Sequence, residues 1–138
     1  LVCTTSNLTV HQSEFVSNYA GIGGGAIKLL GGIVNVTSSS VSNNVAGEYG
    51  SAFDVTTQGP LSSEKTIMYI DMSDVSNNVA DRGAAMFLYA LDLLKVSRTT
   101  FRNNSGTLGS NVEKSNMLSI PHEHYFTLCS FKRWSDLV

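Results

Sequence analysis

The chain has 138 residues, of which 42% are apolar and 14% charged, and its formal net charge is −2. That length and apolar content supply one domain with a real core, and no apolar run approaches a membrane span. Low charge and the lack of a basic stripe exclude the footprint of a phosphate-backbone binder, so no nucleic-acid partner is expected.

The chain opens on Leu1 without a recognisable signal peptide, which reads as a mature chain or a piece of a longer one. Leu8 and Val10 are alternate apolar residues and mark a half-buried strand. Ser13 is small, and the change of parity between Val10 and Phe15 requires a bend there. Phe15-Val16-Ser17-Asn18 leads into a second corner, where Asn tolerates a left-handed backbone. Ala20 and the tight Gly24-Gly25-Ala26-Ile27 step start a third strand through Leu29, and Gly31-Gly32 connects it to the next unit.

The same order returns along the chain. Val34, Val36, Ser39, Val41-Ser42-Asn43-Asn44, Ala46 and Gly50-Ser51-Ala52-Phe53 form the second unit. Met68, Ile70, Ser73, Val75-Ser76-Asn77-Asn78, Ala80 and Gly83-Ala84-Ala85-Met86 form the third. Leu94, Val96, Thr99, Phe101-Arg102-Asn103-Asn104 and Gly109-Ser110-Asn111-Val112 form the fourth. The fifth, with His124, Phe126, Cys129 and Phe131-Lys132-Arg133-Trp134, is degraded, and Trp134 stands where the others have Asn.

Successive Phe or Val positions lie 26, 34, 26 and 30 residues apart. Units this small cannot bury their own apolar face and must stack. The expected fold is all-β, a right-handed parallel β-helix: a solenoid of about four to five rungs, each with three short strands and three corners. It forms one domain over 1–138, with repeats near 8–33, 34–66, 67–93, 94–123 and 124–138. Asn18, Asn44, Asn78 and Asn104 stack at about 4.8 Å as an asparagine ladder, each bond worth roughly 1 kcal/mol. A β-sandwich also shows alternating strands, but has no reason to keep one residue type at one turn in every unit.

The pairing of Phe15-Val16-Ser17-Asn18 with Gly24-Gly25-Ala26-Ile27 resembles the repeat of the polymorphic outer membrane proteins of chlamydiae, over residues 8 to 134. The first copy matches both halves; the others replace Phe by Val or vary the Gly-Gly-Ala-Ile step. The resemblance implies a β-helical surface passenger that acts as an adhesin, attached in that family to a translocator barrel of which this chain shows no segment.

Two connections are long, Thr56 to Thr66 and Glu113 to Glu123, and they leave the same corner two repeats apart. Loops raised from a rigid scaffold are places for binding residues, so Gln58, Glu64, Lys65, Lys114, His122 and His124 are candidates for glycan or protein contact; plain surface insertions are the alternative. His122-Glu123-His124 lacks a third ligand, and no metal or cofactor is expected. Cys3 and Cys129 lie several rungs apart, beyond the roughly 5.5 Å reach of a disulfide. Asn7, Asn35 and Asn103 head glycosylation sequons.

An enzyme acting on polysaccharide needs carboxylates clustered on one face, with a basic residue nearby. In register only Glu14 and Asp74 share a column, two rungs apart, and Arg98 and Arg102 have no clear partner. The expectation is therefore a non-enzymatic extracellular protein, secreted or on a cell surface, structural or adhesive, a filament former or glycoprotein. It would stack end to end on further coils or on identical subunits. A polysaccharide lyase or hydrolase is the alternative.

Overall fold

A computed structural model describes residues 1–56, 65–89 and 91–108, together with the backbone of Val112–Ser115, Glu123–Thr127 and Ser130–Phe131. The first two repeats hold β1 (Val2–His11), β2 (Glu14–Val16), β3 (Tyr19–Ala20), β4 (Ile27–Thr37), β5 (Ser40–Ser42), β6 (Val45–Ala46) and β7 (Phe53–Thr56). Then come β8 (Thr66–Asp71), β9 (Asp74–Ser76), β10 (Met86–Tyr89), β11 (Leu93–Ser97) and β12 (Thr100–Arg102). The last strands are β13 (Val112–Ser115), β14 (Glu123–Thr127) and β15 (Ser130–Phe131). Every strand pairing is parallel.

The pairing register follows the sequence repeat. Leu8, Val34, Met68, Leu94 and His124 pair in one row across β1, β4, β8, β11 and β14. Val10, Val36, Ile70 and Val96 form the next inward row, with the Phe126 backbone paired in register at its end. Phe15, Val41, Val75, Phe101 and Phe131 align across β2, β5, β9, β12 and β15. Ile27, Phe53 and Met86 with Leu29, Val55 and Leu88 close the core from β4, β7 and β10. From Val10 to Phe101 the apolar members of these rows form one cluster almost wholly removed from water, with Leu8 and Phe15 half-buried against it, at roughly 1.5–3 kcal/mol for each large side chain buried.

The expected right-handed β-helix needs correction. The strands gather into three separate sheets of eight, five and two strands in a half-barrel arrangement, not a clear solenoid. No helix occurs among the described residues. One physical reason lies at Gly31 and Gly32, where a corner was expected. Both have positive φ, 77° and 95°, and the chain bends there without leaving its neighbours, so β4 runs unbroken from Ile27 to Thr37. Gly32 still pairs with Ser6 on one side and Thr66 on the other. A Cβ on Gly32 would lie 2.3 Å from the Ser6 carbonyl oxygen, so no other residue fits this crossing. The large sheet thus takes two of the three strands expected of each repeat. Just after the ladder Asn, where a corner was expected, β3 and β6 form a short pairing of their own, continued among the described residues by single bridges such as Val45 to Val79 and Val79 to Ser105.

Candidate functional site

Two corners carry the polar chemistry. At the first, Gln12, Ser38, Met72 and Arg98 all sit in the left-handed region, φ 45° to 51°. The residue after each is Ser13, Ser39, Ser73 or Thr99, and these hydroxyls link the repeats. Ser13 N donates to Ser39 Oγ at 3.1 Å, Ser39 N to Ser73 Oγ at 3.2 Å, and Ser73 N to Thr99 Oγ1 at 3.4 Å. Each hydroxyl in turn donates to the carbonyl two residues back, at 2.8 Å. The small residues of this column are therefore hydrogen-bonding parts of the corner, beyond being space-savers.

At the second corner the left-handed residues are Ser17, Asn43, Asn77 and Asn103. This corrects the expectation that the ladder Asn itself takes that conformation: it is the residue before it. The ladder amides come together in one column. Asn18 Nδ2 donates to Asn44 Oδ1 at 2.9 Å, Asn44 Nδ2 to Asn78 Oδ1 at 3.0 Å, and Asn78 Nδ2 to Asn104 Oδ1 at 3.0 Å. The same oxygens accept the backbone N–H groups of Asn18, Asn44 and Asn78. The second amide hydrogen reaches back to a carbonyl of the preceding repeat, from Asn44 to Phe15, Asn78 to Val41 and Asn104 to Val75. Asn44, Asn78 and Asn104 are buried; Asn18 is exposed at the edge, and no described residue donates to its Oδ1.

An open groove of about 750 Å³ crosses the first corner, lined by Gln12, Glu14, Ser38, Met72, Asp74 and Arg98 among others. Asp74 and Arg98 in it are already engaged, which corrects the reading of Arg98 and Arg102 as partnerless. Arg98 grips Asp71 with two nitrogens, Nε at 2.9 Å, and Ser97 Oγ donates to the same carboxylate at 2.7 Å. Arg102 holds Asp74 through Nε at 3.0 Å and a second nitrogen at 3.2 Å, joined by Ser76 Oγ at 2.6 Å. Hydrogen bonding from Arg98 and then Ser97 holds the Asp71 carboxyl below the usual carboxylate range. Burial pushes Asp74 up, but Arg102 and Ser76 outweigh it and the net direction is down. Glu14 stays exposed, two repeats from Asp74 with Ser40 between them.

The proposed binding loops are placed by their anchors. Thr56, Tyr89 and Ser115 pair in one row, so both long connections leave the large sheet two strands apart, about 10 Å. The first returns at Thr66, whose N–H donates to Asp92 Oδ2 at 2.6 Å while Asp92 N–H donates to the Thr66 carbonyl at 2.9 Å. Lys65 is exposed beside that anchor. Lys114 is paired with Leu88 in β13, and His124 with Leu94 in β14, so neither is on a free loop. Gln58, Glu64, His122 and Cys129 lie outside the described residues. No group of metal-binding side chains occurs among the described residues. Cys3 is a free thiol. Of the sequon residues, Asn7 and Asn103 are exposed and Asn35 is half-buried in the middle of β4.

One cluster escaped the sequence reading. Lys28 Nζ meets Asp54 Oδ2 at 2.6 Å across β4 and β7, where the two residues pair directly. Beside them Arg82 lies over the rings of Tyr49 and Phe87, 5.7 and 5.5 Å from their centroids. The signal was available, since Lys28 and Asp54 stand 26 residues apart, the repeat offset itself. No family model, curated protein or solved structure matches this chain.

Proposed function

We propose that this chain is a non-enzymatic extracellular protein, structural or adhesive, whose parallel repeats pair end to end with further repeats of the same kind, from its own polypeptide or a second copy. The observation that carries this reading is the edge formed by β1, β2 and β3. Each pairs on one side only among the described residues, with β4, β5 and β6. At that edge the inward residues Leu8 and Phe15 are half-buried, whereas their counterparts Val34 and Val41 are fully enclosed. Asn18 Oδ1 waits there for the pair of donors that every inner ladder oxygen receives. An added repeat of the same register supplies apolar cover, strand hydrogen bonds and an Asn donor together. The likeness of the Phe-x-x-Asn and Gly-Gly-Ala-Ile steps to bacterial surface passengers supports a place outside the cell.

Catalysis on polysaccharide gains little support. A general acid needs a raised carboxyl within reach of substrate, yet Asp71 and Asp74 are held low by arginines, and Asp54, whose carboxyl is raised by burial, is sealed at 2% exposure against Lys28. Contact with glycan or protein is assigned to the two long connections beside Tyr89. The test of stacking is electron microscopy and sedimentation over a range of concentrations. Rods that lengthen with concentration, and shorten when Phe15→Glu places charge on the edge, are expected; a single compact copy at every concentration overturns end-to-end pairing between copies. For the loops, excision of residues 57–64 should abolish binding on a glycan array, and unchanged binding removes that assignment.

A further inference from the structure

We propose that Lys28 and Asp54 condense into an intramolecular isopeptide bond that ties β4 to β7, with release of one water. The two side chains face each other across a directly paired position, Nζ 2.6 Å from Oδ2. Asp54 is nearly sealed, its side chain 2% exposed, and its Oδ1 is buried with no hydrogen-bond partner. A carboxylate oxygen in that position is costly, whereas a neutral amide carbonyl left without a partner costs less. Burial also pushes the Asp54 carboxyl up, toward the neutral acid that an amine can attack.

The backbone is shaped to hold this pair. Gly23 and Gly24 lie directly against it: a Cβ on Gly23 would stand 2.4 Å from Asp54 Oδ2 and 3.0 Å from its Cγ, and one on Gly24 would stand 2.6 Å from Lys28 Cβ. The glycines let the chain close over the carboxyl: the Asp54 side chain is sealed while that of Lys28 stays 28% exposed, so bulk water is kept from the reacting Cγ, which favours condensation over hydrolysis. Holding both groups in place replaces a bimolecular encounter with an intramolecular one.

The step balances without a further reactant. A proton passes from the Lys28 ammonium to Asp54 Oδ2, leaving a neutral amine beside a carboxylic acid. Nζ attacks Cγ, the N–C bond forms, and the Cγ–Oδ2 bond breaks. Oδ2 departs as water with the acid proton and one amine proton, and Oδ1 remains as the amide carbonyl.

The experiment is intact mass measurement of the full, unfolded chain, followed by fragmentation of a tryptic digest. The expected mass lies one water below that of the sequence, with the peptides of Lys28 and Asp54 joined and no cleavage after Lys28. Lys28→Arg, which keeps the ion pair but not the nucleophile, should restore the full sequence mass while circular dichroism stays that of the parent. A parent chain at full sequence mass, or a water loss that maps elsewhere, overturns the proposal.

Discussion

Asn78 and Asn44 each make four side-chain hydrogen bonds, and Asn78 is the one enclosed between two buried ladder neighbours. Its Oδ1 accepts from both the backbone and the amide of Asn44, and its Nδ2 donates to Asn104 Oδ1 and to the Val41 carbonyl. All of this lies out of contact with water. Each buried group left without a partner costs roughly 1–3 kcal/mol, so Asn78→Ala should lower stability by about 3 kcal/mol or more in urea denaturation. Asn18→Ala removes a similar amide at the exposed edge and should cost only about 1 kcal/mol. Equal effects at the two positions would mean that burial of the column is not what makes it strong. The arginine pairs make a second residue-scale prediction. Asp71 and Asp74 have folded values below the ordinary 3.8, so the unfolded chain binds protons more readily. Their contribution is complete above that value and is lost as pH falls through it toward the lower folded values. Replacing Arg98 and Arg102 with Gln should therefore shrink the loss of stability on acidification below 3.8, measured as the urea midpoint against pH. Asp54, where its carboxyl is free, acts in the opposite sense, since its value is raised and its burden eases as pH falls toward 3.8.

At the scale of elements, the offsets explain which parts of the chain are dispensable. β4 and β8 pair at an offset of 34 residues, Ile33 with Ile67, whereas β8 and β11 pair at 26, Ile67 with Leu93. The difference, 34 less 26, is eight residues, which is the length of 57–64. Excising that segment gives the repeat the offset that β8 and β11 already tolerate, and the Thr66 to Asp92 bonds still anchor the return. The excised chain should keep its cooperative thermal transition within a few degrees, because loop closure depends only weakly on length; loss of the transition would show that the segment is part of the fold. The register was legible beforehand for the same reason. Asn and inward apolar residues recur at 26 and 34, and those are the separations at which Asn18 meets Asn44 and Asn44 meets Asn78. The sheet arrangement was not legible. Periodicity marks which residues face inward, but whether Gly31-Gly32 ends a strand depends on backbone angles that glycine leaves open. Lys28 and Asp54 were missed because each, read along the chain, is an ordinary polar residue between inward neighbours. Only their lateral pairing makes them a site.

For the whole molecule, the proposed end-to-end pairing raises the question of what force would join one copy to the next. The edge at β1, β2 and β3 offers strand backbone, half-buried Leu8 and Phe15, and the Asn18 acceptor, with Glu14 as an exposed charge beside it. The described ion pairs of Asp71 and Asp74 lie on later repeats and are satisfied within the chain. The association proposed for this edge would therefore draw on apolar burial and backbone hydrogen bonding, neither of which is screened by salt. At 1 M salt the Debye length falls to about 3 Å, which would dissolve an assembly held by surface charges. Here the rods should persist, and sulfate should lengthen them, because excluded salts strengthen effective apolar burial. Sedimentation in sodium chloride and then in sodium sulfate reads this directly. Dissociation in chloride would point to charge pairing between copies and away from the open strand edge as the joining surface.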